Sequence, residues 1–564
     1  MTTTTQNEAS PAGFTHKQIM VVLSGLLLGM LLGALDQTIV STSIRTIADD
    51  LQGYSMQAWV TTAYLITATL STPLYGKLSD MYGRKPFYLA AIIIFVLGSL
   101  LCTFSQSMYE LAAFRAFQGL GAGGLMSLAL TILGDMVGPR ERARYQGYFL
   151  AVFGTSSVAG PVLGGVLAGQ SEILGISGWR WVFLVNVPLG IIALTVVSRV
   201  LKLPRTERPK VAVDWFGVLT MAIGLVPLLV VAEQGREWGW SSTASIICYA
   251  LGVFGLLGFI AVEAKLGDAA LIPLRMFKNS TFAIGVGISI VVGSAMFGGM
   301  TMIPQYLQVV RGSSPTLAGM QMLPLVIGMM ASSIVAGQTI SRTGRYRVFP
   351  PLGAGLLVLG LFLLHFVTAD TALGVTMAFM LIVGLGLGNL MQPLTLAIQN
   401  ALPPKDMGVS TAAATFFRQI GGTLGVAVFL SIMFAQVGPN ISTELRSAAT
   451  DPAFQAAVVQ GTHSSNEAEA ALATGLATQN PEAAAKVLDD SSVIQQLNPT
   501  LAHPFKVGFA NAMDTVFLAA AAVALLALIL VLFWKEVPLR TAGGIQAAQQ
   551  EQEKVDEAAA SIIP

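Results

Sequence analysis

Four ionisable side chains sit where water should be scarce. Asp36 closes the run VVLSGLLLGMLLGALD (21–36), which carries no other charge. Arg115 lies in FRAFQGLGAGG (114–124), Arg418 in FFRQIGGTLGVAV (416–428) and Asp514 in FANAMDTVFL (509–518). A carboxylate facing hydrocarbon near mid-membrane costs roughly 2.5–3.5 kcal/mol on an insertion scale. Pairing with a cation favours the charged form, and dry burial disfavours it. An acid between those two influences can bind and release protons in turn. Asp36 and Asp514 are therefore the candidate proton carriers, with Arg115 the partner expected for Asp36.

The elements that must hold these groups are membrane spans. Of the 564 residues, 54% are hydrophobic and only 11% charged, against about 25% charged in a typical soluble domain. At about 20 apolar residues per span, fourteen are expected. They lie near 19–41, 57–75, 86–105, 109–137, 145–169, 181–201, 214–233, 244–264, 280–309, 318–340, 348–367, 372–399, 408–436 and 507–534. The first follows a short polar segment with no small-residue cleavage site and reads as a retained span. An even count puts both termini on one side. Of the 31 Lys and Arg residues, 21 fall on that side and 7 on the other, which predicts cytoplasmic termini. Asp36 and Arg115 then lie five and six residues from the outer ends of spans one and four. That depth, about 8–9 Å, lets them pair if both face a central, wet cavity.

A ten-residue turn recurs. GKLSDMYGRK (76–85) and GQTISRTGRY (337–346) share glycine at the first and eighth places and arginine at the ninth, Arg84 and Arg345. Each follows a span running toward the basic side, the second and the tenth. Copies eight spans apart fit two six-span halves with two spans inserted between them. Gly76, Gly83 and Gly344 suit close approach or tight reversal. Asp80 can accept hydrogen bonds at the N-terminus of the following helix, and Arg84 can reach Asp135 at the end of span four. Ser341 replaces the acid in the second copy, so a charge latch on this side rests on the first.

These motifs resemble the major facilitator superfamily. GKLSDMYGRK is similar to its loop 2–3 signature and FRAFQGLGAGG to its span-four signature. GTSSVAGPVLGG (154–165) is similar to the span-five antiporter signature, with Gly154, Gly160, Pro161, Gly164 and Gly165 in place. LDQTIV (35–40), WRWVFLVNVPLG (179–190), GLGLGNLMQPLTLA (384–397) and the Arg418 segment resemble motifs of its fourteen-span drug/proton antiporter branch. The resemblance covers about residues 18–537. It implies an all-α polytopic membrane protein with major-facilitator-type halves: a tail 1–18, a six-helix bundle 19–201, a linker with two extra spans 202–279, a second bundle 280–536 and a tail 537–564. The implied protein exports amphipathic compounds in exchange for protons by alternating access, from a bacterial inner membrane, with the glycine- and proline-rich stretch of span five sealing the cavity against proton leak. After LDQTIV the outer end of span one, STSIRTIADD, is more polar than the branch pattern.

The 23 Met and 28 Phe suit a soft apolar cavity, for which Met126, Met300, Gln392 and Arg418 are candidate lining residues. Glu233, Glu263 and His365 lie near span ends and read as interfacial. The long external loop, 438–506, is a solvated cap or spacer, with a site for an envelope partner or a gate cover as the alternative. No phosphate-binding GxxxxGK[ST], HExxH, CxxC or nucleophile elbow is present. Cys102 and Cys248 lie in apolar runs. No cofactor, metal site, nucleic-acid partner or enzyme activity is expected. Two other functions fit the sequence: the same fold exporting a specific lipid, siderophore or metabolite, and an accessory membrane protein acting through the external loop.

Overall fold

The computed structural model describes residues 15–53, 56–201, 213–478, 491–540 and 543. Fourteen helices occupy the fourteen expected spans: α1 (His16–Asp50), α2 (Gln57–Tyr82), α3 (Arg84–Thr103), α4 (Met108–Met136), α5 (Pro139–Ala168), α6 (Asn186–Val200), α7 (Trp215–Trp238), α8 (Thr243–Leu266), α9 (Ser280–Gln305), α10 (Leu323–Thr343), α11 (Phe349–Leu364), α12 (Leu373–Ala401), α13 (Met407–Ala448) and α14 (Pro499–Leu532). Their starts carry the expected chemistry. Thr15 forms a capping box on α1, Ser107 caps α4, Asp214 caps α7 and Asn279 caps α9, each satisfying N–H groups a helix start leaves open. Gly83 and Gly344 end α2 and α10 at positive φ, 98° and 72°, where a side chain would be strained.

The repeat read from one turn extends through the packing. In the first half α2 packs on α4, α3 on α4, α1 on α5 and α6, and α3 on α6. In the second half α10 packs on α12, α11 on α12, α9 on α13 and α14, and α11 on α14. The halves meet along two equivalent seams, α2 against α13 and α5 against α10. The inserted pair α7–α8 lies at the α2–α13 seam, where α7 touches both helices. The outer side of α8 is apolar and exposed at Ile246, Leu251, Phe254 and Leu257, as a lipid-facing helix requires.

Several helices run past their expected ends. α1 continues nine residues to Asp50, whose carboxylate accepts the Trp179 indole N–H at 2.6 Å. Asp36 is therefore 14 residues, about 21 Å, from the helix end, but it and Arg115 still reach each other, as the expected pairing requires. α13 and α14 extend together beyond the bilayer because their apolar faces keep packing: Ile441 sits against Gly508. The external segment thus shrinks to about 449–498. It carries helices Pro452–Gly461 and Glu467–Ala477. Gln495 Nε2 donates to the carbonyls of Gln308 (3.2 Å) and Val309 (2.9 Å), tying this segment to a π-helical turn at the end of α9. The side chain of Met300 lies outside the described residues.

Candidate functional site

A cavity of about 510 Å³ lies between the halves. Its wall is built by helical stripes. Ala34, Gln37, Thr38 and Ser41 come from α1, and Thr415, Arg418, Gln419 and Gly422 from α13, the i, i+3, i+4, i+7 spacing of one helix face. Met126, Phe153, Met296, Met322, Met329 and Met391 supply apolar surface. The lining reaches toward the far ends of α1 at Thr42 and α7 at Glu233, and the π-helical turn after α9 at Gln308.

Asp36 is not in that wall. It is 0% exposed and Arg115 is 1% exposed. The two pair at 2.5 Å, Arg115 Nη1 to Asp36 Oδ2. Gln118 Nε2 (2.9 Å) and Asn186 Nδ2 (2.8 Å) donate to Asp36 Oδ1, and both also donate to Ser99 Oγ. Arg115 Nη1 further donates to Gln118 Oε1 at 2.7 Å. The Tyr64 ring lies over the guanidinium, 4.1 Å from Arg115 Cζ, and Tyr64 itself lines the cavity. The wet-cavity expectation is therefore overturned. The acid is tolerated because three side chains donate to it, and Tyr64, which lines the cavity, covers its Arg115 partner.

The basic face is closed by contacts between the halves. Asp80 accepts from the backbone N–H groups of Gly408 (3.2 Å) and Val409 (2.8 Å), in the first turn of α13. The expectation placed Asp80 at the N-terminus of the next helix, α3; the carboxylate also crosses the seam to a helix N-terminus in the other half, where partial positive charge favours it. Arg84 pairs with Asp80 at 2.6 Å and with Asp135 at 2.7 Å. Gly76 lets α2 approach Ala412 and Gly408 of α13. At the second seam the chemistry inverts. Arg140 donates to the carbonyls of Ser341 (2.8 Å) and Arg342 (2.5 Å) at the C-terminus of α10, where a cation is favoured. Arg345 is exposed and makes no contact across the seam among the described residues, whereas Gly337 lets α10 approach Ala143 of α5 as Gly76 does at the first seam, and Gly344 ends α10. Beneath the cavity Arg142 donates to Gln399 Oε1, and Gln392 Nε2 donates to the Gln146 carbonyl at 3.0 Å. Gln392 is thus a cross-brace and not a lining residue, because its amide is spent on α5.

In α5 the glycines divide by partner. A Cβ at Gly160 would strike Thr38, whose hydroxyl donates to the Ser156 carbonyl at 3.0 Å. One at Gly164 would meet the Ile39 carbonyl at 2.9 Å. These two let α1 pack closely. Gly154 faces Val326 of α10, Pro161 lines the cavity beside Gly319, and Gly165 has only Thr316 Oγ1 nearby, at 3.8 Å.

A sequence model of the Major Facilitator Superfamily matches residues 26–426. The chain belongs to the major facilitator superfamily. It is 33% identical to multidrug transporter protein MdtP of Bacillus subtilis (strain 168), over 96% of this chain and 97% of that one. It is 36% identical to multidrug resistance protein 3 of the same organism, over 76% of this chain and 81% of that one. Among solved structures, the proton:xylose symporter XylE aligns with a TM-score of 0.58 at 14% identity, over 95% of this chain and 99% of that one, a likeness of fold. This major facilitator transporter is thus a multi-pass membrane protein related to efflux pumps, and not an enzyme.

The transporter places other expected residues elsewhere. Asp514 pairs with His365 on the far side of the second half, outside the cavity lining, where Phe362 and Phe366 surround the imidazole. Glu233, expected at an interface, lines the cavity. Glu263 is buried and accepts from the N–H groups of Leu271 (3.2 Å) and Ile272 (2.9 Å). Sequence reading missed Gln118, Asn186, Ser99, Tyr64 and Gly408. Two had a signal: Gln118 stands three residues after Arg115, one helical turn along, and Asn186 is the polar residue inside WRWVFLVNVPLG.

Proposed function

We propose that this transporter exports amphipathic small molecules in exchange for protons, alternating between states open to each face, with the basic face cytoplasmic. The observation that carries the reading is the Asp36 cluster, one side-chain layer behind the wall of a cavity whose basic end is latched. In the latched arrangement both Asp36 oxygens only accept hydrogen bonds. Protonating Asp36 removes the charge to which Arg115, Gln118 and Asn186 donate, and so weakens those contacts. These partners stand on α4 and α6, and the cover, Tyr64, stands on α2, which also carries Asp80. A shift of α2 against α13 would change both the latch and the tyrosine seal. That shared helix gives a route by which protonation and access are linked. Moving one charge through 100 mV supplies about 2.3 kcal/mol, enough to drive cargo uphill. The named activities of the two Bacillus relatives agree with small toxic compounds as cargo. The external segment braces the cavity rim through Gln495.

The test is uphill efflux from purified proteoliposomes under an imposed pH gradient, using a panel of fluorescent amphiphiles. Wild-type protein should concentrate cargo, and Asp36→Asn should retain only downhill exchange. Uphill pumping by Asp36→Asn would end the proton-coupling assignment.

A further inference from the structure

The cavity wall carries two charged side chains, and they are held differently. Glu233 stands on α7, five residues from its end, within hydrogen-bond reach of the Thr62 hydroxyl. Arg418 stands on the cavity-facing stripe of α13, eleven residues from Met407, about 17 Å along the helix. Among the described residues the Arg418 side chain has no hydrogen-bond or ion-pair partner. The contrast inside the same membrane region is sharp. Arg84 has Asp80 and Asp135, Arg115 has Asp36 and Gln118, and Arg142 has Gln399 with two carbonyls.

The backbone under Arg418 is well placed. Gly293 of α9 lies directly against the Arg418 carbonyl, so α13 is docked there without using the side chain. Removing the guanidinium leaves that packing intact. A guanidinium at mid-membrane is costly unless it is solvated or paired. Water in the open cavity supplies solvation. When the cavity closes around cargo that water is displaced, and the charge then needs a counter-charge. Thr415 and Gln419, on the same stripe, offer further polar contacts, while the methionine and phenylalanine wall takes an apolar body.

We propose that the cavity recognises amphiphiles carrying an acidic group, a carboxylate or sulfonate on an aromatic body, with the anion held by Arg418. The assignment deepens the export reading, because it names the cargo class of that cavity. A planar guanidinium suits such groups, since it can donate two parallel hydrogen bonds to one anion.

The test uses a matched pair of probes, anilinonaphthalene sulfonate and its uncharged parent phenylnaphthylamine, binding the full-length protein in nanodiscs against empty nanodiscs. Wild type should prefer the sulfonate. Arg418→Met should weaken sulfonate binding about tenfold or more and change the neutral probe by less than about threefold. Arg418→Lys should keep most of the sulfonate affinity. A wild type that binds both probes equally, or an Arg418→Met protein with unchanged sulfonate affinity, would overturn the assignment. Transport by energised vesicles separates this from the export reading. Arg418-dependent binding without uphill transport of either probe would leave the anion site standing and remove export. Uphill transport of the sulfonate that ignores Arg418→Met would do the reverse.

Discussion

Replacing Asp80 tests the latch. Its carboxylate is nearly fully buried and bonds two N–H groups in the first turn of α13. The ion pair with Arg84 lies within the first half and survives separation of the halves, so the two bonds across the seam are counted toward closure. Hydrogen bonds to a charged group are worth about 1.5–3 kcal/mol each, and neighbouring ones are not additive. A joint contribution of about 2–4 kcal/mol follows, or roughly 30- to 900-fold in the closed-to-open ratio of the basic face. Asp80→Ala removes it all. Asp80→Asn keeps one acceptor and should lose about half. The readout is pulsed dipolar spectroscopy between spin labels at Tyr82 and Arg347, both exposed on the basic ends of the two halves, in a background lacking Cys102 and Cys248. Asp80→Ala should populate a longer distance, and Asp80→Asn should populate it less. Ser341→Ala should leave the distance as in wild type, because Arg140 bonds the Ser341 backbone and not its hydroxyl. An Asp80→Ala protein with the wild-type distribution would refute the assignment of closure to this contact.

Four further outcomes are expected. Gly160→Val should abolish transport, because its Cβ would collide with Thr38, whereas Gly165→Ala should leave rates within about twofold since its nearest contact is ordinary van der Waals distance; vesicle transport assays compare them. Asp36→Asn should lower the unfolding temperature, as an unpaired buried Arg115 costs about 3–5 kcal/mol, and Asn186→Leu should lower it less, by the equivalent of about 1–3 kcal/mol; thermal unfolding in detergent ranks the two. Gln392→Ala should leave cargo affinity unchanged while Met126→Ala weakens it, a split that equilibrium binding of a fluorescent cargo reads directly. Asp514→Asn should leave uphill pumping intact, because Asp514 and His365 stand outside the cavity, and the proteoliposome assay used for Asp36 measures it.

What was readable in the chain and what was not differ by kind of interaction. Span count follows from local spacing, since hydropathy and helix period are properties of neighbours in sequence; the repeat showed as recurring glycine and arginine, and the Arg84–Asp135 pair, 51 residues apart, followed from both lying at the basic ends of their spans. The α13 partner of Asp80 lies 328 residues away, and nothing near either residue encodes the other. Gly408 shows why: its role is to be small beside Arg84 Nη1 and Asp80 Oδ2, at 2.5 and 2.6 Å from where a Cβ would stand. The facing of Asp36 was also out of reach. A helix surrounded by protein on most sides shows little amphipathic period, so the cavity side of α1 could not be told from its bundle side. Residues 37 and 38 face the cavity and residue 36 does not, a rotation of one residue, about 100° on a helix.

That single-residue rotation bears on mechanism. Were Asp36 in the wall, cargo and proton could compete directly for one carboxylate, and a cationic cargo would be selected by it. With Asp36 fully buried outside the wall, direct competition is blocked in this state, and coupling under the proposed cycle must pass through movement of α1, α2 or α4. The charge that cargo meets at mid-depth is then Arg418, which is why the two groups should separate experimentally. Substitution at Asp36 should change the dependence of transport on the pH gradient, and substitution at Arg418 should change which cargo binds.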